Sequence, residues 1–278
     1  MQNISNSWIN KQRWLSIGRV NKASQSAGSV DRRASKNHMP ILSVEGLDKA
    51  FGGLVAIHNL SFVLDKGEIL GVLGPNGSGK TTLFNVITGF IKPDGGKILL
   101  NGTEITGLNP YQICRHGIAR TFQIVKCFRR ITVLENVMTA RAYGKKPSRG
   151  IREAESEANE LLELGGLFEK RFMLAEQLGH TEMKRLETIM AMATRPDLIL
   201  LDEMMAGLNP TETEEAIQYM KSIRDSGVSI MVVEHVMRAV LELSDRVMVI
   251  NAGQKIADGT PREIIGNENV IRVYLGEE

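Results

Sequence analysis

The chain has 278 residues, 42% hydrophobic and 24% charged, with a net charge of +2. That is enough for one large domain or two modest ones with a sizeable core. Residues 1–40 carry seven Lys/Arg against one Asp, a surplus of +6, so the remainder sits near −4 and offers no broad basic footprint for nucleic acid. Cys114 and Cys127 have no spacing that suggests a metal site or a disulfide framework, which points to a reducing compartment. No window supplies the roughly 18 uncharged apolar residues of a membrane helix. The best run, VSIMVVEHVMRAVL, is broken by Glu234, His235 and Arg238, so any membrane role goes through a partner.

In chain order, residues 1–40 are polar and rich in Ser, Arg and Lys, without sustained periodicity. They read as a disordered basic leader or as an over-called start upstream of Met39, with a basic membrane-surface arm as the functional rival. From Ile41 the text becomes orderly. ILSVEGLDKAF and LSFVLDKG read as short strands, EILGVLG as a buried strand and GKTTLFNVITGF as a helix. GKILLNGTEI predicts a hairpin turning at Asn101-Gly102. Residues 132–195 are helix-rich, through TVLENVMTARA, IREAESEANELLEL and EMKRLETIMAMATR. Strand and helix then alternate through DLILLDE, PTETEEAIQYMKSIRDS, VSIMVVE, VMRAVLELS and RVMVIN. Such alternation predicts a largely parallel sheet with helices on both faces.

GPNGSGKTT, Gly74 to Thr82, has the spacing of a phosphate-binding P-loop. Gly74, Gly77 and Gly79, with Pro75, Asn76 and Ser78, form a turn that can aim successive N–H groups at phosphate oxygens. The helix that follows presents its positive end to the same anion. Lys80 can reach the β- and γ-phosphates, Thr81 can ligate Mg²⁺, and Thr82 can donate toward the α-phosphate. Chance alone produces such a match in roughly one per cent of chains this long, and the strand before it and helix after it lower that further. LILLDE brings Asp202 and Glu203 out at the C-terminal end of a buried strand, where open α/β sheets bind ligands. Alone, an acid pair after a strand is usually a cap or a solvated turn. Beside a P-loop, Asp202 reads as an Mg²⁺ ligand and Glu203 as the base that activates a water.

The order P-loop, Gln123 in RTFQ, a helical stretch, LILLDE, AGLNP, then His235 in VVEH resembles the ATP-binding subunits of ABC transporters, over about residues 41–278. FGGLVAIHNLSF, FRRITVLENVMTA, AGLNPTET and GTPREIIGNENVIRVYLGEE resemble the branched-chain amino-acid importer branch. The resemblance implies a RecA-like P-loop NTPase core of α/β class, with an antiparallel β subdomain and an inserted α-helical subdomain at about 125–195. It implies ATP and Mg²⁺, a second ATP-binding subunit, two transmembrane permease subunits and, indirectly, a solute-binding protein. The place is the cytoplasmic face of the membrane. It further implies that Phe51 stacks on adenine and that Gln123 meets Mg²⁺ and the attacking water. Gly207, Leu208 and Asn209 would form the D-loop between subunits, and His235 would bond the γ-phosphate. Met204 departs from the proline usual after the glutamate, which puts that loop's rigidity in doubt.

In this family two subunits clasp two nucleotides head to tail, each ATP lying between one P-loop and the other subunit's LSGGQ signature. Here the matching stretch reads Leu178, Gly179, His180, Thr181, Glu182. The serine hydroxyl is missing at Gly179, Thr181 replaces the second glycine, and Glu182 adds negative charge facing an anion. The same residues also read as a plain helix start with Thr181 as N-cap. The expectation is an asymmetric pair with a second, different ATP-binding subunit. The alternatives are a regulatory nucleotide-binding subunit with little turnover, or a soluble non-transport ABC ATPase.

Overall fold

The computed structural model describes residues 39–275; the readings made for residues 1–38 lie outside them. Two sheets carry the chain. The first is antiparallel, in the order β2-β1-β4-β5, from β1 (Leu42–Phe51), β2 (Leu54–Leu64), β4 (Gly95–Leu100) and β5 (Thr103–Glu104). The second runs β10-β9-β3-β8-β7-β6, from β3 (Ile69–Leu73), β6 (Ile118–Arg120), β7 (Leu198–Asp202), β8 (Ser229–Val233), β9 (Arg246–Asn251) and β10 (Gln254–Gly259). Its pairs are parallel except β9 with β10.

The reason is in the residues. Every position of β3, β7 and β8 is buried, and aliphatic runs of that kind need cover on both faces. Helix α1 (Lys80–Ile87) covers one face, with Leu83, Phe84 and Ile87 packing among residues of both sheets. On the other face Ile199, Leu201, Ile230 and Val232 meet α5 (His180–Ala193) and α6 (Pro210–Asp225). Between β6 and β7 lie α3 (Val133–Arg141), α4 (Ile151–Leu164) and α5, packed through Val137, Ala158, Leu162 and Ile189. The C-terminal end adds α7 (Met237–Leu243), α8 (Pro261–Ile265) and α9 (Glu268–Leu275) around Leu73, Val247 and Val249.

Several elements differ from the sequence reading. β2 starts at Leu54 rather than at the LSFV run, because Leu54 and Val55 are exposed and only pairing with β1 makes them strand. Helix α2 (Pro110–His116) was not foreseen; its start is an Asn109/Gln112 capping box with proline in the first turn. β6 is three residues long, too short for a periodic signal. β10 is largely polar and is strand because it pairs with β9. The Asn101-Gly102 hairpin forms as predicted, with both residues at positive φ.

Arg246 holds the two sheets together. It donates from Nε to Glu68 at 2.7 Å, from Nη1 to Asp258 at 2.7 Å, and from Nη2 to the carbonyl of Val63. Replacing it with Met removes the guanidinium from two carboxylates, leaving Asp258 with Lys255 and Glu68 with the Asp65 amide, and stability should fall by about 2–3 kcal/mol. Urea denaturation of the purified chain reads this directly; a loss under about 0.5 kcal/mol, the scale of an ordinary surface substitution, would count against the staple.

Candidate active site

The loop after β3 is built on glycines at positive φ, Gly74 at 154°, Gly77 at 78° and Gly79 at 106°. Two of them are also sterically required. A Cβ on Gly74 would lie 2.1 Å from the Ile250 carbonyl oxygen, and one on Gly79 would lie 2.4 Å from that of Ala56. The loop is thus threaded between the end of β9 and strand β2, with Asn76 and Gly77 exposed at its crest. α1 begins at Lys80 with no acid in its first turn, so nothing on the helix opposes an anion at its N-terminus. The Lys80 ammonium donates to the carbonyls of Gly74 at 2.7 Å and Pro75 at 2.8 Å, and lies 3.3 Å from Ser78 Oγ. Burial lowers its pKa, partly offset by the nearby Glu203 and Asp202. Thr81 is exposed and Thr82 half-buried on the same first turn.

Asp202 ends β7 and is buried. Its carboxylate takes Arg120 Nη2 at 2.8 Å, and its amide donates to Thr121 Oγ1 at 3.1 Å. Glu203 follows at φ 52°, a left-handed conformation unusual for a non-glycine residue. That twist turns its carboxylate between two side chains: Gln123 Nε2 donates to Oε2 at 2.8 Å, and His235 Nε2 lies 2.6 Å from Oε1. Gln123, Glu203 and His235 therefore meet, although 112 residues separate the first from the last.

Sequence reasoning missed the residues that hold this arrangement. Arg120 donates to Asn85 at 2.6 Å as well as to Asp202, and stacks near Phe84 and Phe122. Lys184 donates to the carbonyls of Glu203 at 3.0 Å and Ala206 at 2.8 Å. Glu187 accepts from the amides of Phe122 at 3.3 Å and Lys126 at 2.8 Å, on either side of Gln123. Glu234 accepts from Met205 N–H at 2.6 Å, while its other carboxyl oxygen is buried without a partner. Burial pushes both Glu187 and Glu234 up to about 7. The available signal was Lys184 and Glu187 interrupting the apolar side of an amphipathic helix.

At Leu178–Glu182 the helix start differs from the reading above. The N-cap is Gly179, in extended backbone at φ −67° and ψ 165°, and Thr181 lies in the first turn. The extended backbone suits an N-cap, and Thr181 Oγ1 faces Glu212 at 3.4 Å instead of capping. Glu182 belongs to the same first turn. Its carboxylate folds over the helix start, taking Gly179 N–H at 3.1 Å and the Lys170 ammonium. Burial raises its pKa, but those bonds outweigh it and the net shift is downward. Leu178 is buried, and Gly179 and His180 are exposed.

Phe51 ends β1 at the tip of the hairpin whose second strand passes over Gly79; it is 46% exposed, with Lys49 Nζ 5.4 Å from its ring. Gly207 takes φ 80°, Leu208 is half-buried, and Asn209 caps α6, accepting Glu212 N–H at 2.9 Å. The donors that could hold a cation are all oxygen: the Thr81 hydroxyl, the Gln123 amide oxygen and the Asp202 carboxylate. That set fits a hard divalent ion such as Mg²⁺.

Comparison with known proteins agrees with this geometry. The ABC transporter family matches residues 57–206, and the family described as branched-chain amino acid ATP-binding cassette transporter matches residues 254–278. The chain is 43% identical over 251 residues to the high-affinity branched-chain amino acid transport ATP-binding protein LivG of Escherichia coli (strain K12), covering 86% of this chain and 98% of that one. It is 41% identical over 251 residues to BraF of Pseudomonas aeruginosa, also named a high-affinity branched-chain amino acid transport ATP-binding protein, with the same coverage. The crystal structure of a nucleotide-free ATP-binding cassette from an ABC transporter superposes with a TM-score of 0.77 at 31% identity, covering 86% of this chain and all of that one. The fold and site define a P-loop ATPase. The chain belongs to the ABC transporter family, as an ATP-binding subunit.

Glu234 gives a pH test. Its folded pKa of about 7 lies above the unfolded value of 4.5. The folded state therefore binds more protons between those values, and the group's destabilising effect grows as pH rises through that window. Glu234→Gln should stabilise the chain at pH 8 by about 3 kcal/mol relative to its effect at pH 5. Thermal melts at both values check this; an equal effect at the two would contradict it.

Proposed function

We propose that this chain hydrolyses ATP to drive an importer of branched-chain amino acids or similar small polar solutes, as one of a pair of unlike ATP-binding subunits. The observation that carries the hydrolytic part is the Glu203 carboxylate held between Gln123 and His235, at 2.8 and 2.6 Å, at the end of β7 and near enough to the P-loop's Lys80 to pull its pKa upward against burial. The relatives' names support the cargo.

In this reading Gly74–Gly79 and the start of α1 wrap the phosphates, and Lys80 leaves its carbonyl partners for the β- and γ-oxygens. Thr82 donates on the α side, and Phe51 stacks on the base. Bound Mg²⁺, held by Thr81, Gln123 and Asp202, would neutralise phosphoryl charge. Glu203 orients a water and takes its proton, and His235 donates to the γ-phosphate. Most of the rate comes from positioning and charge stabilisation rather than from covalent chemistry. Binding closes the pair because ATP bridges two subunits only when they are closed, with Gly207, Leu208 and Asn209 at their contact.

No helix among the described residues is long and apolar enough to cross a membrane. In this reading permease subunits carry the solute across and this chain sits on their cytoplasmic face, which the relatives' names as transport ATP-binding proteins support. A groove of about 250 Å³ beside the Gln123 loop, lined by Phe90, Ile113, Phe122, Lys126 and Met190, supports docking of a permease there. Phe90, which lines it, is exposed, as are Ile124 and Phe128 of the neighbouring chain segment.

The asymmetry rests on Gly179–Glu182. Gly179 carries no hydroxyl, and its amide already serves Glu182. The site completed by this signature should bind ATP with little turnover, whereas the site on this chain's own P-loop is completed by the partner. In the assembled complex, Lys80→Ala should lower ATPase activity by roughly 100-fold or more, and the equivalent change in the partner by less than about threefold. Equal falls would exclude the asymmetric pair. Gly179→Ser is sterically open, since a Cβ there meets only Glu182 Oε2, at 3.8 Å. With Lys80→Ala silencing this chain's site, it should raise residual turnover roughly tenfold; no rise would mean that the hydroxyl is not what the signature lacks.

A further inference from the structure

Helix α5 sends two charged side chains into the protein, Lys184 and Glu187, one turn apart and 5% and 4% exposed. Burying charge is costly unless it is used, and both are fully engaged away from their own helix. Lys184 bonds the carbonyls of Glu203 and Ala206, the two ends of the turn that follows β7. Glu187 bonds the amides of Phe122 and Lys126, the two ends of the segment that carries Gln123. A third residue of the same helix, Thr188, places Oγ1 3.8 Å from the sulfur of Met204 in that turn. One helix face therefore grips both loops whose side chains meet 2.8 Å apart as Gln123 and Glu203.

The grip falls where the backbone needs it. Glu203 is held at φ 52°, and such a conformation persists only when its surroundings over-determine it. Met204 brings no proline ring to stiffen the turn, so the constraint comes from outside: Val233 O on the Glu203 amide at 2.9 Å, Glu234 on the Met205 amide, and Lys184 on the two carbonyls. Of these, Lys184 alone comes from the helix that starts at Gly179.

We propose that Lys184 and Glu187 are positioning residues that register this chain's own hydrolytic loops on the signature helix, so that the seating of the helix tip at the partner's nucleotide sets the alignment of Gln123 and Glu203 here. A rigid shift of α5 carries the Glu203 carbonyl and the Phe122 and Lys126 amides together. The two nucleotide sites are thereby coupled through one helix inside one chain. The inference rests on the reading of Glu203 as the base.

The test uses the assembled transporter with both P-loops intact, so that a nucleotide seats the helix tip; turnover then reports the site on this chain, because the site that this signature completes turns over little in the reading above. Lys184→Met should lower kcat roughly 30-fold through misalignment, with KM for ATP and the affinity for a fluorescent ATP analogue within about twofold. Glu187→Ala should act in the same way, and Glu187→Gln less strongly, because its amide keeps one acceptor for Lys126 N–H. A kcat for Lys184→Met within about twofold of the parent, or a fall in kcat matched by weakened nucleotide binding, overturns the inference. If Lys184→Met does not assemble, Glu187→Gln carries the same criteria. Glu203→Gln, run alongside, separates the two readings. Full turnover there removes the base assignment and this inference with it. Lost turnover there with parental kcat in Lys184→Met removes this inference alone.

Discussion

A single peptide turn governs the site. β7 runs buried to Asp202 and would carry Glu203 straight on into the sheet's edge. Instead the backbone flips to φ 52° at Glu203, at a cost of order 1–3 kcal/mol, and that flip swings the carboxylate between Gln123 and His235. The cost is offset by hydrogen bonds from three directions: the end of β8, the carboxyl of Glu234 and the ammonium of Lys184. Loss of any one of them gives the turn freedom to relax, and with it the three-residue meeting.

The charges around that turn are arranged by burial as much as by pairing. Arg120 and Asp202 form a buried ion pair, which fixes the acid at the strand end and keeps its orientation tied to α1 through Asn85. Glu187 and Glu234 are pushed up to about 7 by desolvation, so near neutrality each has a protonated fraction. For Glu234 this fits its orphaned oxygen, which has no donor to satisfy it. Lys80 is shifted down by the same burial, and Glu203 and Asp202 pull it back. A cationic ammonium among carbonyls is poised for a phosphate: exchanging neutral oxygen partners for charged ones strengthens every bond it makes.

The signature end of α5 shows how one helix start can be sound locally and weak as an anion clamp. Gly179 has extended N-cap geometry and Glu182 reaches back to its amide, the one half of a capping box that a glycine N-cap allows. The carboxylate that stabilises the helix occupies an amide that an incoming phosphate would need, and it brings negative charge to the same spot. Sequence order alone suggested that Thr181 caps; the chain enters the helix two residues earlier, because the backbone between the short 3₁₀ turn at Ala175–Gln177 and α5 is extended at Leu178 and Gly179.

Much of this protein was legible in the sequence because its strongest signals are local. Glycine spacing set the P-loop, since only glycine takes the φ values and the close approaches at Gly74 and Gly79. The aliphatic runs of β3, β7 and β8 marked a doubly covered sheet, and Asn101-Gly102 marked a hairpin of the other, antiparallel sheet. Tertiary structure decided what pairing and burial decide. It made strands of Leu54 and Val55 and of polar β10, and it placed Arg120 on Asp202. It also brought Lys184 and Glu187 to loops 19 and 61 residues away. The sequence shows at most that Lys184 and Glu187 interrupt an apolar helix face; it does not show which loop each reaches, because a buried charge is specified by its distant partner and not by its neighbours in sequence.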